Sequence, residues 1–208
     1  FLLREILLRT PLTVHCLVRG QDLKEARLRV LSGLGMQGAG PEAGRLKIVL
    51  GDITKRGLGL KPADFTALSN SVDAIYHSAA QVNFLYAYQA LKRANVDGTR
   101  EILKFACHGS PKAVHLISSI AVFSPEQYQG EVTEQDQPTE LVGLSNGYSQ
   151  TKWVAEQLAM QAASRGLPVT IYRPGVLVGE QANGRTNPND MLMQLFRDLL
   201  FRELLEHL

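Results

Sequence analysis

The sequence predicts an α/β domain, a doubly wound parallel sheet with helices on both faces. Two observations predict it. Short β-rich runs alternate with longer helical runs along the whole chain, which is the pattern of βαβ units. The runs LKIVL (46–50), AVHLI (113–117) and VTIY (169–172) are also apolar on both faces, as strands covered on both sides must be.

Taken in order, the elements follow from periodicity. Leu2, Leu3, Ile6 and Leu7 fall on one face of a helix over 1–9. LTVHCLV (12–18) reads as a strand, DLKEARLRVL (22–31) as a helix, and LKIVL (46–50) and DAIYHSA (73–79) as strands. NVDGTREILKFAC (95–107) reads as a helix capped by Asn95, with Ile102, Leu103, Phe105 and Ala106 on its apolar face. AVHLISS (113–119) is a strand, YSQTKWVAEQLAMQAAS (148–164) a long helix and PVTIYRP (168–174) a strand. The Gly-rich stretch 33–44 and the segment 124–146 are long loops, and there is no internal repeat. The sequence opens without Met and already in helical pattern, so a first strand and a Gly-rich turn are expected upstream of residue 1.

Composition narrows the function classes. The chain has 208 residues, 45% hydrophobic and 20% charged, enough to bury a core. A net charge of +2 supplies no field that draws the protein to nucleic acid or to a membrane. No apolar run approaches the roughly 20 residues that span a bilayer, and Arg4, Glu5 and Arg9 interrupt any signal-peptide pattern. Cys16 and Cys107 lie far apart with no CxxC pair, which suits two free thiols in the cytoplasm. No His, Cys, Asp and Glu cluster has metal-ligand spacing.

One segment matches a dinucleotide-binding glycine loop: Gly33, Gly35 and Gly38 satisfy G-x-G-x-x-G. That motif works between a strand and a helix N-terminus, where amides meet the pyrophosphate. Here it follows a helix and runs into a loop, so it reads as a surface connection.

The chemistry is suggested elsewhere, in GYSQTKWVAE. Tyr148 and Lys152 are four apart on a helix and therefore share a face. An ammonium beside a phenol favours the phenolate and lowers a pKa that starts near ~10, making the tyrosine a better acid toward a developing alkoxide. The same spacing also suits an amphipathic helix whose Tyr and Lys reach solvent. Other marks gather at strand ends: LVRG (17–20), GDIT (51–54), YHSAAQVNF (76–84), ISS (117–119) and YRPG (172–175). Ligands of open α/β sheets bind at those carboxyl ends.

These phrases in this order resemble the extended short-chain dehydrogenase/reductase family. AAQVNF, LKRANVDGTREIL, GYSQTKWVAEQL and NPNDMLMQL resemble its thioester reductase domains, which terminate nonribosomal peptide and polyketide assembly lines, and the reductase domain of carboxylic acid reductases. The resemblance implies a Rossmann-like NADP-binding domain over 1–180 and the start of a substrate-binding subdomain over 181–208, with Asn189 and Asp190 opening its helix. It implies Tyr148 as proton donor, Lys152 as its partner and holder of the nicotinamide ribose, and Ser119, rather than Ser118, as a second donor to the substrate oxygen. Arg19, where an acid would favour NAD, implies NADP, with Arg27 matching a second family arginine, although Arg27 equally suits a solvated helix charge. Asp52 and Ile53 would contact adenine, although Asp52 equally suits a turn cap. Ala79, Ala80 and Gln81 would let the cofactor approach closely, Asn95 would steady the active-site loop, and Pro174 and Gly175 would line the nicotinamide cleft. His77 is expected to be structural. The implied reaction is NADPH-dependent release of a phosphopantetheine-bound acyl or peptidyl thioester from a carrier protein as an aldehyde, with onward reduction to the alcohol left open. The alternatives are another extended reductase or epimerase acting on a nucleotide sugar, an acyl-CoA or a small carbonyl, and a non-catalytic NADP-binding regulator.

Overall fold

The computed structural model describes residues 1–35, 41–181, 184, 186, 193–196, 198 and 199. The chain divides into two units, Phe1–Arg173 and Pro174–Leu208. Pro174 and Gly175, read above as part of the first domain, open the second unit; Gly38, Asn189 and Asp190 lie outside the described residues.

The first unit is built as the alternation predicts. Its strands are β1 (Val14–Val18), β2 (Leu46–Leu50), β3 (Ala74–His77), β4 (Ala113–Ile117) and β5 (Val169–Tyr172). All pairing is parallel: β1 runs beside β2 from Val14↔Leu46 to Val18↔Leu50, and β4 lies between β3 and β5. The strands therefore form a two-stranded and a three-stranded sheet. Among the described residues no strand pairs with the second edge of β1 or of β3.

Helices α1 (Leu2–Arg9) and α2 (Leu23–Leu34) pack on the smaller sheet: Leu7, Leu31, Leu34, Ala43 and Leu46 form one buried cluster with Val14 and Ile48 against it. The Asp22 carboxylate accepts from the Glu25 N–H at 2.8 Å and caps α2. The helix runs three residues past the predicted end and stops at Gly35, whose φ of 66° closes it in the left-handed region. Gly33 thus lies inside α2 and Gly35 at its C-terminus. That end exposes carbonyls, not amides, which is the physical reason the glycine pattern cannot cradle a phosphate.

A second cluster ties the two sheets together. Leu58, Ile102 and Phe105 are buried with Leu17 of β1, Ile75 of β3, Ile53 and Phe65 against them. Around these clusters stand three elements the pattern did not predict: α3 (Pro41–Arg45), a 3₁₀ turn at Arg56–Gly59 and α4 (Pro62–Ser69).

The predicted helix 95–107 is longer and contains a π turn. α5 (Tyr88–Lys92) passes through a π turn at Arg93–Asp97 into α6 (Gly98–Ala106). Asn95 sits inside that turn and is buried, so it is not the helix cap the sequence suggested. α7 (Gly147–Ser164) starts from an Asn146 cap accepting the Ser149 N–H at 2.9 Å, and packs with α6, β4 and Leu167 around a third apolar cluster.

Candidate active site

α7 delivers the tyrosine and lysine. Its inward face carries Tyr148, Lys152 and Glu156, each one turn apart and all buried. The Lys152 ammonium donates to the Ile117 carbonyl at 2.6 Å. It thereby joins α7 to the end of β4, where Ser118 and Ser119 follow. Ser119 caps a short 3₁₀ turn at Ile120–Val122, its hydroxyl accepting from the Ala121 N–H at 3.2 Å. Its own proton remains free to donate. Among the described residues the Ser118 hydroxyl is buried with no hydrogen-bond partner, a costly condition for a polar group. The two serines thus differ in a way that sequence could not show.

The electrostatics depart from the sequence reading. Burial pulls Lys152 down to about 8, against the opposing pull of the Glu156 carboxylate. Burial raises Tyr148 above its ordinary value of 10.0. Where the sequence reading has Lys152 lowering the phenol, desolvation of the phenolate moves it the other way. The Tyr148 hydroxyl makes no hydrogen bond among the described residues, and its ring meets that of Phe84 edge-on at 5.2 Å.

Behind this pair runs a buried polar chain. The Thr99 hydroxyl donates to the Asn95 carbonyl at 2.7 Å, so toward His77 Nε2, 2.9 Å away, it can only accept. This assigns the His77 proton to Nε2. Burial, then the Lys152 charge, lowers His77 to about 4, so it is neutral near pH 7. The Asn95 side chain grips the loop after β3 from both sides: it accepts from the Gln81 N–H at 2.7 Å and donates to the Gln81 carbonyl at 3.0 Å and to the Thr151 hydroxyl at 3.0 Å. Asn95 therefore fixes Gln81, and Ala79 and Ala80 before it, to α7. These bonds, and not a helix cap, are what the Asn95 side chain makes.

At the ends of β1 and β2, Arg19, Gly20, Leu50, Gly51, Asp52, Lys55 and Gly59 line a pocket. Asp52 has the turn role: its carboxylate accepts from the Thr54 N–H and hydroxyl, both at 2.8 Å. Burial works against its charge, but these bonds and the Arg19 and Lys55 charges hold its pKa below the ordinary value. Two of the expected contacts go elsewhere. Arg27 donates to the Leu46 carbonyl at 2.8 Å and the Ala43 carbonyl at 2.7 Å, bracing α2 against α3 and β2. Ile53 turns its side chain into the second core cluster, so tightly against Gly98 that a Cβ there would lie 2.9 Å from Ile53 Cδ1.

Sequence reasoning missed the pair that anchors the site. Glu156 is fully buried and binds Arg173 in a fork, at 3.0 and 3.2 Å from Arg173 Nε and 2.9 Å from Nη2. Arg173 also donates to the Asp136 carbonyl at 3.1 Å and lies over the Phe123 ring. Trp153 and Gln157 both donate to the Pro138 carbonyl at 2.9 Å. The segment 124–146 is thereby fastened to α7. The available signal was an acid one turn beyond Lys152 and an arginine closing the last strand.

The residues present fit a dinucleotide at two places. The pocket on β1 and β2 offers glycine walls and two cations, suited to a ribose and an anionic phosphate. The end of β4 offers the Ser119 donor, the unpartnered Ser118 hydroxyl and the free Tyr148 phenol. Fold and site together define a Rossmann-like nucleotide-binding domain carrying a tyrosine–lysine pair. The chain belongs to the NAD-binding family described as male sterility protein, which matches residues 1–207. It is 40% identical over 199 residues to a component of the linear gramicidin synthase of Brevibacillus parabrevis, covering 94% of this chain and 4% of that protein. Among solved structures it resembles the terminal R domain of the myxalamid PKS-NRPS pathway (TM-score 0.84, 39% identity, 92% of this chain and 49% of that one). It also resembles a thiolation-reductase di-domain from an archaeal non-ribosomal peptide synthetase (TM-score 0.71, 29% identity, 90% of this chain and 40% of that one). The chain thus spans less than half the length of each of these relatives.

Proposed function

We propose that this chain is the nucleotide-binding part of an NADPH-dependent reductase that releases a carrier-bound acyl or peptidyl thioester as an aldehyde. One observation carries the reading. Tyr148, its hydroxyl unengaged among the described residues, stands one turn from Lys152 at the strand end bearing Ser119, in a chain 39% identical to a terminal R domain.

The nicotinamide, when bound, supplies the hydride that forms the new C–H bond at the acyl carbon. The chain's residues handle the oxygen. As the carbonyl pair moves onto it, Tyr148 gives up its phenol proton and Ser119 donates a hydrogen bond, yielding a hemithioacetal. The Tyr148 phenolate then takes back the hydroxyl proton, the carbonyl re-forms, the C–S bond breaks, and the departing thiolate takes a proton from water. The balance is thioester, NADPH and one proton to aldehyde, thiol and NADP. No protein nucleophile is needed, and neither Cys16, in β1, nor Cys107, at the end of α6, stands at the site.

Arg19 and Lys55 favour the extra phosphate of NADP over the bare ribose of NAD. A carrier protein presenting a phosphopantetheine arm is the partner this chemistry requires. The test is NADPH oxidation by the full-length protein. Acyl-pantetheine thioesters are expected to be consumed with aldehyde formed, and free carboxylic acids to be inert. Turnover of nucleotide sugars with no reaction of thioesters would overturn the proposal.

A further inference from the structure

The loop after β3 puts four large apolar or aromatic side chains at the surface beside the proton donor. Val82 is 60% exposed and Leu85 92%, with Phe84 and Tyr86 about half exposed. The loop is firmly held. Its near end is gripped at Gln81 by Asn95. Its middle is a turn in which the Asn83 carboxamide accepts from the Leu85 and Tyr86 N–H groups, at 2.9 and 3.0 Å. Its far end lies on the first residue of α7, where a Cβ at Gly147 would stand 2.4 Å from the Tyr86 carbonyl and the Tyr88 nitrogen. A backbone fixed at three points displays Val82 and Leu85 outward, and Phe84 touches the ring of Tyr148.

We infer that residues 82–86 form the wall that receives the acyl group of the substrate, and that this group is apolar. The inference rests on the thioester reading above and deepens it. Tyr148 must reach the carbonyl oxygen, so whatever is attached to the carbonyl carbon lies within a side chain's length of Phe84. Two groups are attached there. The pantetheine arm is rich in amides and needs donors and acceptors. The loop offers few, since the Asn83 carboxamide oxygen is already engaged by its own backbone. An alkyl chain or apolar side chain gains by covering Val82 and Leu85.

The test uses the full-length protein and a series of non-reducible acyl-pantetheine amides, from acetyl to octanoyl, titrated by calorimetry. Affinity is expected to climb with chain length by up to roughly fourfold per methylene. The climb should flatten in the Val82→Thr/Leu85→Asn double variant, whose thermal unfolding stays that of the parent because both side chains are exposed. An identical climb in parent and variant overturns the inference. So does a variant that unfolds several degrees lower, since the wall would then pack against protein. The two readings fail separately: amides that bind with the predicted slope while the thioesters go unreduced sink the proposed reaction alone, and thioesters reduced with an unaltered slope sink the acyl wall alone.

Discussion

Lys152 illustrates how far a residue's surroundings decide its chemistry. Its spacing from Tyr148 was legible in the sequence, and so was the face they share. The carbonyl of Ile117 that accepts its hydrogen bond was not, because that contact joins residues 35 apart through the packing of α7 on β4. Tyr148 remains the proton donor of the proposal even though burial raises its pKa. Replacing it with Phe removes only the hydroxyl; kcat should fall by roughly 10²–10⁴ while dinucleotide affinity, read by fluorescence titration, survives. A Tyr148→Phe enzyme near the parental kcat would remove the assignment. Arg19 belongs to the same scale. Arg19→Ala should raise the KM for NADPH far more than that for NADH, and equal effects on both would leave its role unsupported. Arg27 shows the limit of reading a helix charge from sequence: one of its two main-chain acceptors comes from a short helix that periodicity did not reveal.

At the scale of elements, the strands and the long helix α7 were legible because period and apolarity repeat over enough residues to register. The π turn at Arg93–Asp97 was not. It inserts one residue into a continuous helix, and only the structure shows that this aims Asn95 at Gln81 and Thr151. The Glu156–Arg173 fork was likewise hidden in the crossing of α7 and the end of β5. Glu156→Ala leaves a largely buried guanidinium without its counter-charge, and the expected loss is about 3–5 kcal/mol in chemical unfolding. Replacing both partners with apolar residues of similar volume should cost less. If the single change proved as mild as the double one, the pair would not be the anchor described.

For the whole molecule, the strand alternation predicted the class correctly, while the division into a two-stranded and a three-stranded sheet depends on which edges find partners, which no local pattern encodes. Stability should carry the mark of the buried polar chain. His77 titrates near 4 in the folded protein and near 6.5 unfolded. The unfolded chain therefore binds the extra proton between those values, and stability falls as pH drops through that window. The expected loss is roughly 3 kcal/mol by about pH 4, on top of whatever the carboxylates contribute. Thermal unfolding of the parent against His77→Asn isolates it: the variant should show a shallower decline from pH 6.5 to 4, and parallel curves would place the histidine outside this account.

The central claim is that the Tyr148–Lys152–Ser119 site transfers a hydride to a thioester carbon. It is tested most directly by giving the full-length protein an acyl-pantetheine thioester and NADPH deuterated at the transferable position, and analysing the released product by mass spectrometry. The account predicts an aldehyde carrying one deuterium on its carbonyl carbon, with one NADPH consumed per thiol released. Release of a carboxylic acid, or of an aldehyde without deuterium, would contradict it.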